Sequence, residues 1–144
     1  MIGKWIIYAC IAFALCACDA FQNTEIPSLG KENVFQEVKL PALGELLHST
    51  KIEGMRGRDQ MIRAQGTFAL AQREKIIEIL QSNGFVATDE FLFATGDTDP
   101  WWSVEGEVVE RSYFDKQRPG KEAKMKLFQL KDGSGFFQFE EIDI

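Results

Sequence analysis

Residues 124–142, KMKLFQLKDGSGFFQFEEI, are the stretch from which the fold is read. Two runs rich in apolar residues, 124–131 and 136–142, flank Asp132-Gly133-Ser134-Gly135, four residues that favour a turn. That pattern predicts a β-hairpin with a four-residue loop, and Phe128, Leu130, Phe137 and Phe139 supply its buried content. Towards the N-terminus, Pro119-Gly120 marks a turn over residues 116–121. Before it, residues 103–114 alternate weakly through Val104, Val108, Val109, Tyr113 and Phe114, which predicts a third strand with a bulge at Gly106.

Further upstream, residues 60–68 place Ile62, Ala64, Gly66 and Phe68 on one side and Met61, Arg63, Gln65 and Thr67 on the other. A period of two is expected of a half-buried strand. A helix over residues 69–82 follows, with Ile76, Ile77 and Leu80 on one stripe and Arg73, Glu74, Lys75, Glu78 and Gln81 mostly outside it. Asn83-Gly84-Phe85 ends it: glycine accepts the left-handed conformation, and Phe85 can close back on Leu80 in a Schellman arrangement. Residues 85–94 read as a short strand and a loop, and Gly96-Asp97-Thr98-Asp99-Pro100 as loop. At the domain's start, Val34-Phe35 and residues 38–40 predict a short edge strand, and residues 41–48 a helical turn or two, with Pro41 suited to its first position. The expected fold is α+β: a small antiparallel sheet in the order strand, helix, three-strand meander, with one main helix on one face. Its expected extent is a single domain over residues 34–144.

The first twenty residues, MIGKWIIYACIAFALCACDA, address the chain. Lys4 precedes an apolar run that ends in small residues, the layout of a secretory signal. The run is shorter than the ~20 residues a membrane-spanning helix needs, and the sequence turns polar directly after Cys18. Leu15-Cys16-Ala17-Cys18 resembles the lipobox of bacterial lipoproteins, with Cys16 where alanine or serine is usual. The resemblance implies cleavage after residue 17 and acylation of Cys18, so that residues 1–17 are a lipoprotein signal peptide and 18–33 a lipidated tether. Two or three acyl chains bind stably where one is marginal, since each buried methylene adds about 0.8 kcal/mol. Asp19 resembles the inner-membrane retention signal of enteric Gram-negative lipoproteins. The expected location is therefore the cell membrane, lipid-anchored on the periplasmic side, inner rather than outer.

Cys10, Cys16 and Cys18 are the three cysteines, so the stretch after the lipobox holds none with which to form a disulfide. Loss of residues 1–17 removes only the charge of Lys4 and leaves 15 basic against 22 acidic residues, a net charge of −7. That balance argues against nucleic acid as a partner and against a surface that hugs anionic membranes. The expected partners are the bilayer, through Cys18, and an envelope protein; no cofactor and no metal is expected.

His48 is the only histidine, so a site of several imidazoles is impossible, and no serine or cysteine stands in a recognisable nucleophile setting. Asp97, Thr98 and Asp99 could offer oxygens to calcium, but tryptophan and valine follow where an EF-hand loop needs further ligands. Glu105 and Glu107 share one side of the expected strand, an arrangement a glycosidase could use but solvated charges adopt more often. Arg56-Gly57-Arg58 is a small basic spot. Trp101-Trp102, beside Asp97 and Asp99, is the strongest candidate binding feature. Neighbours on an extended chain point to opposite sides, so one indole can fill the core under the helix while the other stays at the rim.

The strand near Phe68, the Asn83-Gly84-Phe85 stop, the Trp101-Trp102 loop and the aromatic hairpin together resemble small uncharacterised bacterial lipoproteins, and this resemblance implies the fold order without an activity. The sequence thus reads as a membrane-anchored, non-enzymatic protein-binding module of the envelope, such as an immunity, inhibitor or assembly factor. A glycan or peptidoglycan binder is the alternative, and a hydrolase fits least.

Overall fold

A computed structural model describes residues 24–26, 29–32, 34–56, 59–94 and 99–144. Its centre is an antiparallel sheet of seven strands: β1 (Thr24–Glu25), β2 (Leu47–Arg56), β3 (Met61–Phe68), β4 (Val86–Thr88), β5 (Val108–Arg118), β6 (Lys121–Leu130) and β7 (Gly135–Asp143). They lie in the spatial order β1-β2-β3-β7-β6-β5-β4. Among the described residues there are two helices, the single turn α1 (Val34–Glu37) and the main helix α2 (Arg73–Ser82), with 3-10 turns at Pro41–Glu45 and Leu70–Gln72. The class is α+β, with more of the described residues in strands than in helices.

The expected hairpin forms between β6 and β7, with Phe137 opposite Leu127 and Phe139 opposite Met125. Asp132 tightens its turn by accepting the Ser134 N–H at 2.9 Å. β5 joins through Pro119-Gly120 and completes the meander. β3 then pairs with β7, so Ile62, Ala64, Phe137, Phe139, Met125 and Leu127 share one face. On that face the helical layer places Val34, Phe35, Leu43, Ile76 and Leu80, all in the main core, and the Phe35 ring lies 5.8 and 5.6 Å from those of Phe137 and Phe139. Helix α2 ends as expected: Gly84 takes φ +89°, its N–H reaches the Gln81 carbonyl at 3.1 Å, and Phe85 N–H reaches that of Leu80 at 3.0 Å.

Several expectations are corrected. Residues 34–40 form α1 and a reversal rather than an edge strand; the helical turn expected from Pro41 is present as a 3-10 turn over Pro41–Glu45, while Leu47 and His48 already belong to β2. The third meander strand is Val108–Arg118, and its irregularity falls between Val108 and Glu110, not at Gly106. A strand not foreseen, β2, precedes β3. Its register shifts between Ser49 and Lys51, which brings the His48 carbonyl against Gly66, where a Cβ would stand 1.9 Å from the oxygen. Part of the expected tether also belongs to the sheet: β1 pairs with β2, and Ile26 is buried in the core. Cys18, Asp19 and Asp97 lie outside the described residues.

Candidate functional site

The second face of the sheet carries Lys51, Arg63, Gln65, Lys124, Lys126, Gln138 and Glu140, a set that in sequence looks solvent-facing. It is covered instead. Arg63, Gln65, Lys126, Gln138 and Glu140 are all buried, because the described parts of the connection from Thr88 to Val108, residues 89–94 and 99–107, are laid over them as a strap. Each polar side chain fastens a point of it. Lys124 donates to the Leu92 carbonyl at 3.0 Å, and Glu140 accepts the Ala94 N–H at 2.9 Å. Arg63 binds Asp99 at 2.8 Å, Lys51 donates to the Trp101 carbonyl at 2.6 Å, and Gln65 exchanges two hydrogen bonds with Ser103, at 2.9 and 3.0 Å. These partners belong to β6, β7, β3, β2 and β3 in turn. The strap thus crosses the sheet to β2 and comes back, and Val104 packs on the return against Phe128, Leu130 and Phe136.

Burying charge is costly without partners, and Arg63 has several. Its guanidinium is held by Glu53 at 2.7 Å and by Asp99, and lies 4.2 Å from the centroid of the Trp101 ring. The same hydrogen bond, followed by that from the Trp101 N–H, lowers the Asp99 carboxyl below its usual range. Trp102 is 8 % exposed and stacks on Phe93 with centroids 4.2 Å apart and planes at 15°, whereas Trp101 is half-buried, edge-on to Trp102 at 4.8 Å. One ring is inside and one at the rim, as the alternation of an extended chain implies. The interior they serve is the strap's, however, on the face opposite the helix.

Beside the strap opens a cleft of about 430 Å³, walled by Trp102, Tyr113, Phe128 and Gln138, with Arg111, Lys126 and Glu90 around it. The Lys126 ammonium lies 4.5 Å from the Phe93 centroid and 5.8 Å from that of Tyr113. The cleft therefore joins aromatic surface to positive charge in a chain of net charge −6.

Of the expected site residues, Trp101, Trp102 and Asp99 come together here. Glu105 and Glu107 precede β5 rather than lying on it, both exposed, and Glu107 pairs with Lys131 at 3.4 Å. His48 is exposed on β2, and Arg56 ends that strand 3.8 Å from Glu37. Among the described residues no group of three or more His, Cys, Asp and Glu side chains is placed to hold a metal. Sequence reasoning missed Arg63, Lys51, Gln65, Glu140, Lys126 and Arg111; the available signal was a row of long polar side chains on strands that lie beside a long tryptophan-bearing loop. Comparisons with protein-family models, curated proteins and solved structures find no match to this chain.

Proposed function

We propose that this chain is a lipid-anchored protein of the bacterial envelope that binds another protein through the strap-covered face of its sheet and catalyses no reaction. The observation that carries the reading is the strap. Long connections without secondary structure are uncommon in compact domains and usually functional, and the described residues of this one, 89–94 and 99–107, hold no helix or strand and are fixed point by point to a rigid sheet, as binding loops are. Leu92 on the strap, Val86 on β4 and Val109 on β5 are 65 %, 63 % and 54 % exposed large apolar side chains, the latter two on the β4–β5 side of the sheet. Such side chains suit a protein partner. A sugar platform needs open indole surface, but Phe93 stacks on Trp102, and Arg63 and Lys51 lie 4.2 and 4.6 Å from the centroid of Trp101. That arrangement favours the protein reading over the glycan one.

For the anchor, Leu15-Cys16-Ala17-Cys18 supports acylation at Cys18, and Asp19 supports retention at the inner membrane. The chain enters β1 at Thr24, which a fully extended backbone places within ~20 Å of Cys18. The binding face would thus be held close to the bilayer. The test uses the lipidated protein in uncharged detergent as bait for envelope proteins, beside sedimentation with purified peptidoglycan sacculi. A partner captured by the parent and weakened about 30-fold, or about 2 kcal/mol, in Trp101→Ala with the domain still folded is expected. Cosedimentation with sacculi and no captured protein would replace this reading with the glycan one.

A further inference from the structure

On the helix-covered face, at the end of the sheet where the chain enters from residue 24, three cations converge on a hollow of about 220 Å³ floored by Leu40, Phe85 and Ala123. They are Lys39, Lys116 and Arg118, and Glu141 is the one carboxylate among them. Glu141 is already shared, by Arg118 at 2.9 Å and Lys121 at 3.6 Å. Among the described residues no carboxylate pairs with Lys39 or Lys116, and the Nε of Arg118 is buried with no hydrogen-bond partner. A buried donor left without a partner is costly, and the local excess of positive charge stands in a chain of net charge −6.

Lys39 adds an independent observation. Helix α1 closes in the same Schellman pattern as α2, with Leu40 N–H to the Phe35 carbonyl at 2.7 Å and Lys39 N–H to that of Gln36 at 3.0 Å. The left-handed position belongs to Gly84 in α2 but to Lys39, at φ +61°, in α1. An L side chain there is strained, so a lysine at that place costs stability and returns charge at the hollow.

We propose that this hollow binds a small anion of the phosphate class, held by Lys39, Lys116 and Arg118. The phosphate is either free or that of a phospholipid headgroup. The site lies across the sheet from the strap and is independent of the protein-binding reading; only the lipid source presupposes the anchor at Cys18. Glu141 fixes the Arg118 guanidinium beside the two lysines.

Calorimetric titration of the full lipidated chain in uncharged detergent with inorganic phosphate tests it. Saturable binding is expected, weakened tenfold or more in Lys39→Gly and Lys116→Gln. Lys39→Gly should melt no lower than the parent, since glycine accepts positive φ, which separates loss of the site from loss of the fold. No saturable binding, or equal affinity in both variants and the parent, overturns the proposal. The source is read in phosphatidylglycerol nanodiscs by acetylation of lysines. Protection of Lys39 and Lys116 with loss of free-phosphate binding assigns the headgroup; accessible amines with free-phosphate binding retained assign the soluble anion. Accessible amines with no phosphate bound contradict both.

Discussion

Arg63 stands between Glu53, Asp99 and the Trp101 ring and is 7 % exposed, so a single side chain couples β2, β3 and the strap. Removing it strands two carboxylates. Breaking a fully buried pair costs about 3–5 kcal/mol; Glu53 and Asp99 each keep 27 % side-chain exposure, so Arg63→Ala should cost less, about 2–3 kcal/mol, read by urea denaturation. A loss below about 0.5 kcal/mol would mean that the strap does not depend on this clamp. The two tryptophans should separate: Trp102→Ala removes a buried ring and costs about 3–5 kcal/mol, while Trp101→Ala leaves the domain folded. Acid gives a further check at Asp99. Its carboxyl is lowered in the fold, so the stability it contributes is present above its ordinary value and lost as pH falls through the lowered one. Tryptophan emission of the mature protein should therefore stay constant down through the ordinary carboxylate range and shift only below it, and Asp99→Asn should abolish that shift. At this scale the sequence showed the aromatic pair and Asp99. It hid Arg63 and Gln65, because a polar side chain alternating along a strand looks the same whether water or a loop carbonyl receives it.

Among the elements, α2 and the β6–β7 hairpin were legible because their signals are local: a Leu80-to-Phe85 stop in one, Asp132 and glycines in the other. Gly84→Val should lower stability by more than about 1 kcal/mol, since a β-branched residue resists φ near +89°. A melting temperature equal to the parent's would mean that this φ is not required. Where the local signal is missing, the reading failed. Helix α1 has lysine instead of glycine at its left-handed position, so Val34-Phe35 looked like a strand. β2 was missed because the register shift at Ser49 and Lys51 breaks its alternation, and because Gly54 sits inside it. The strap has no period at all; its path is set by Lys124, Glu140, Arg63, Lys51 and Gln65, side chains distant in sequence.

For the molecule as a whole, the two faces of one sheet differ in what covers them. The helical layer builds the main core over one face, and the strap turns the other into a fixed, cationic and aromatic surface. Net charge hid this division, because a total of −6 averages over hollows that are locally positive. Cys18→Ser should abolish labelling by radioactive palmitate and release the protein from membranes; undiminished labelling would remove the anchor. Asp19→Ser should move the protein to outer-membrane fractions of a density gradient if residue 19 is read as a retention signal. The claim that the strap-covered face is the binding face is tested most directly by a photo-crosslinking amino acid, placed in living cells either at Leu92 on the strap or at exposed Gln81 on α2. A light-dependent adduct to a protein from position 92 and none from position 81 is the expected result, and an adduct from position 81 with none from position 92 would contradict it.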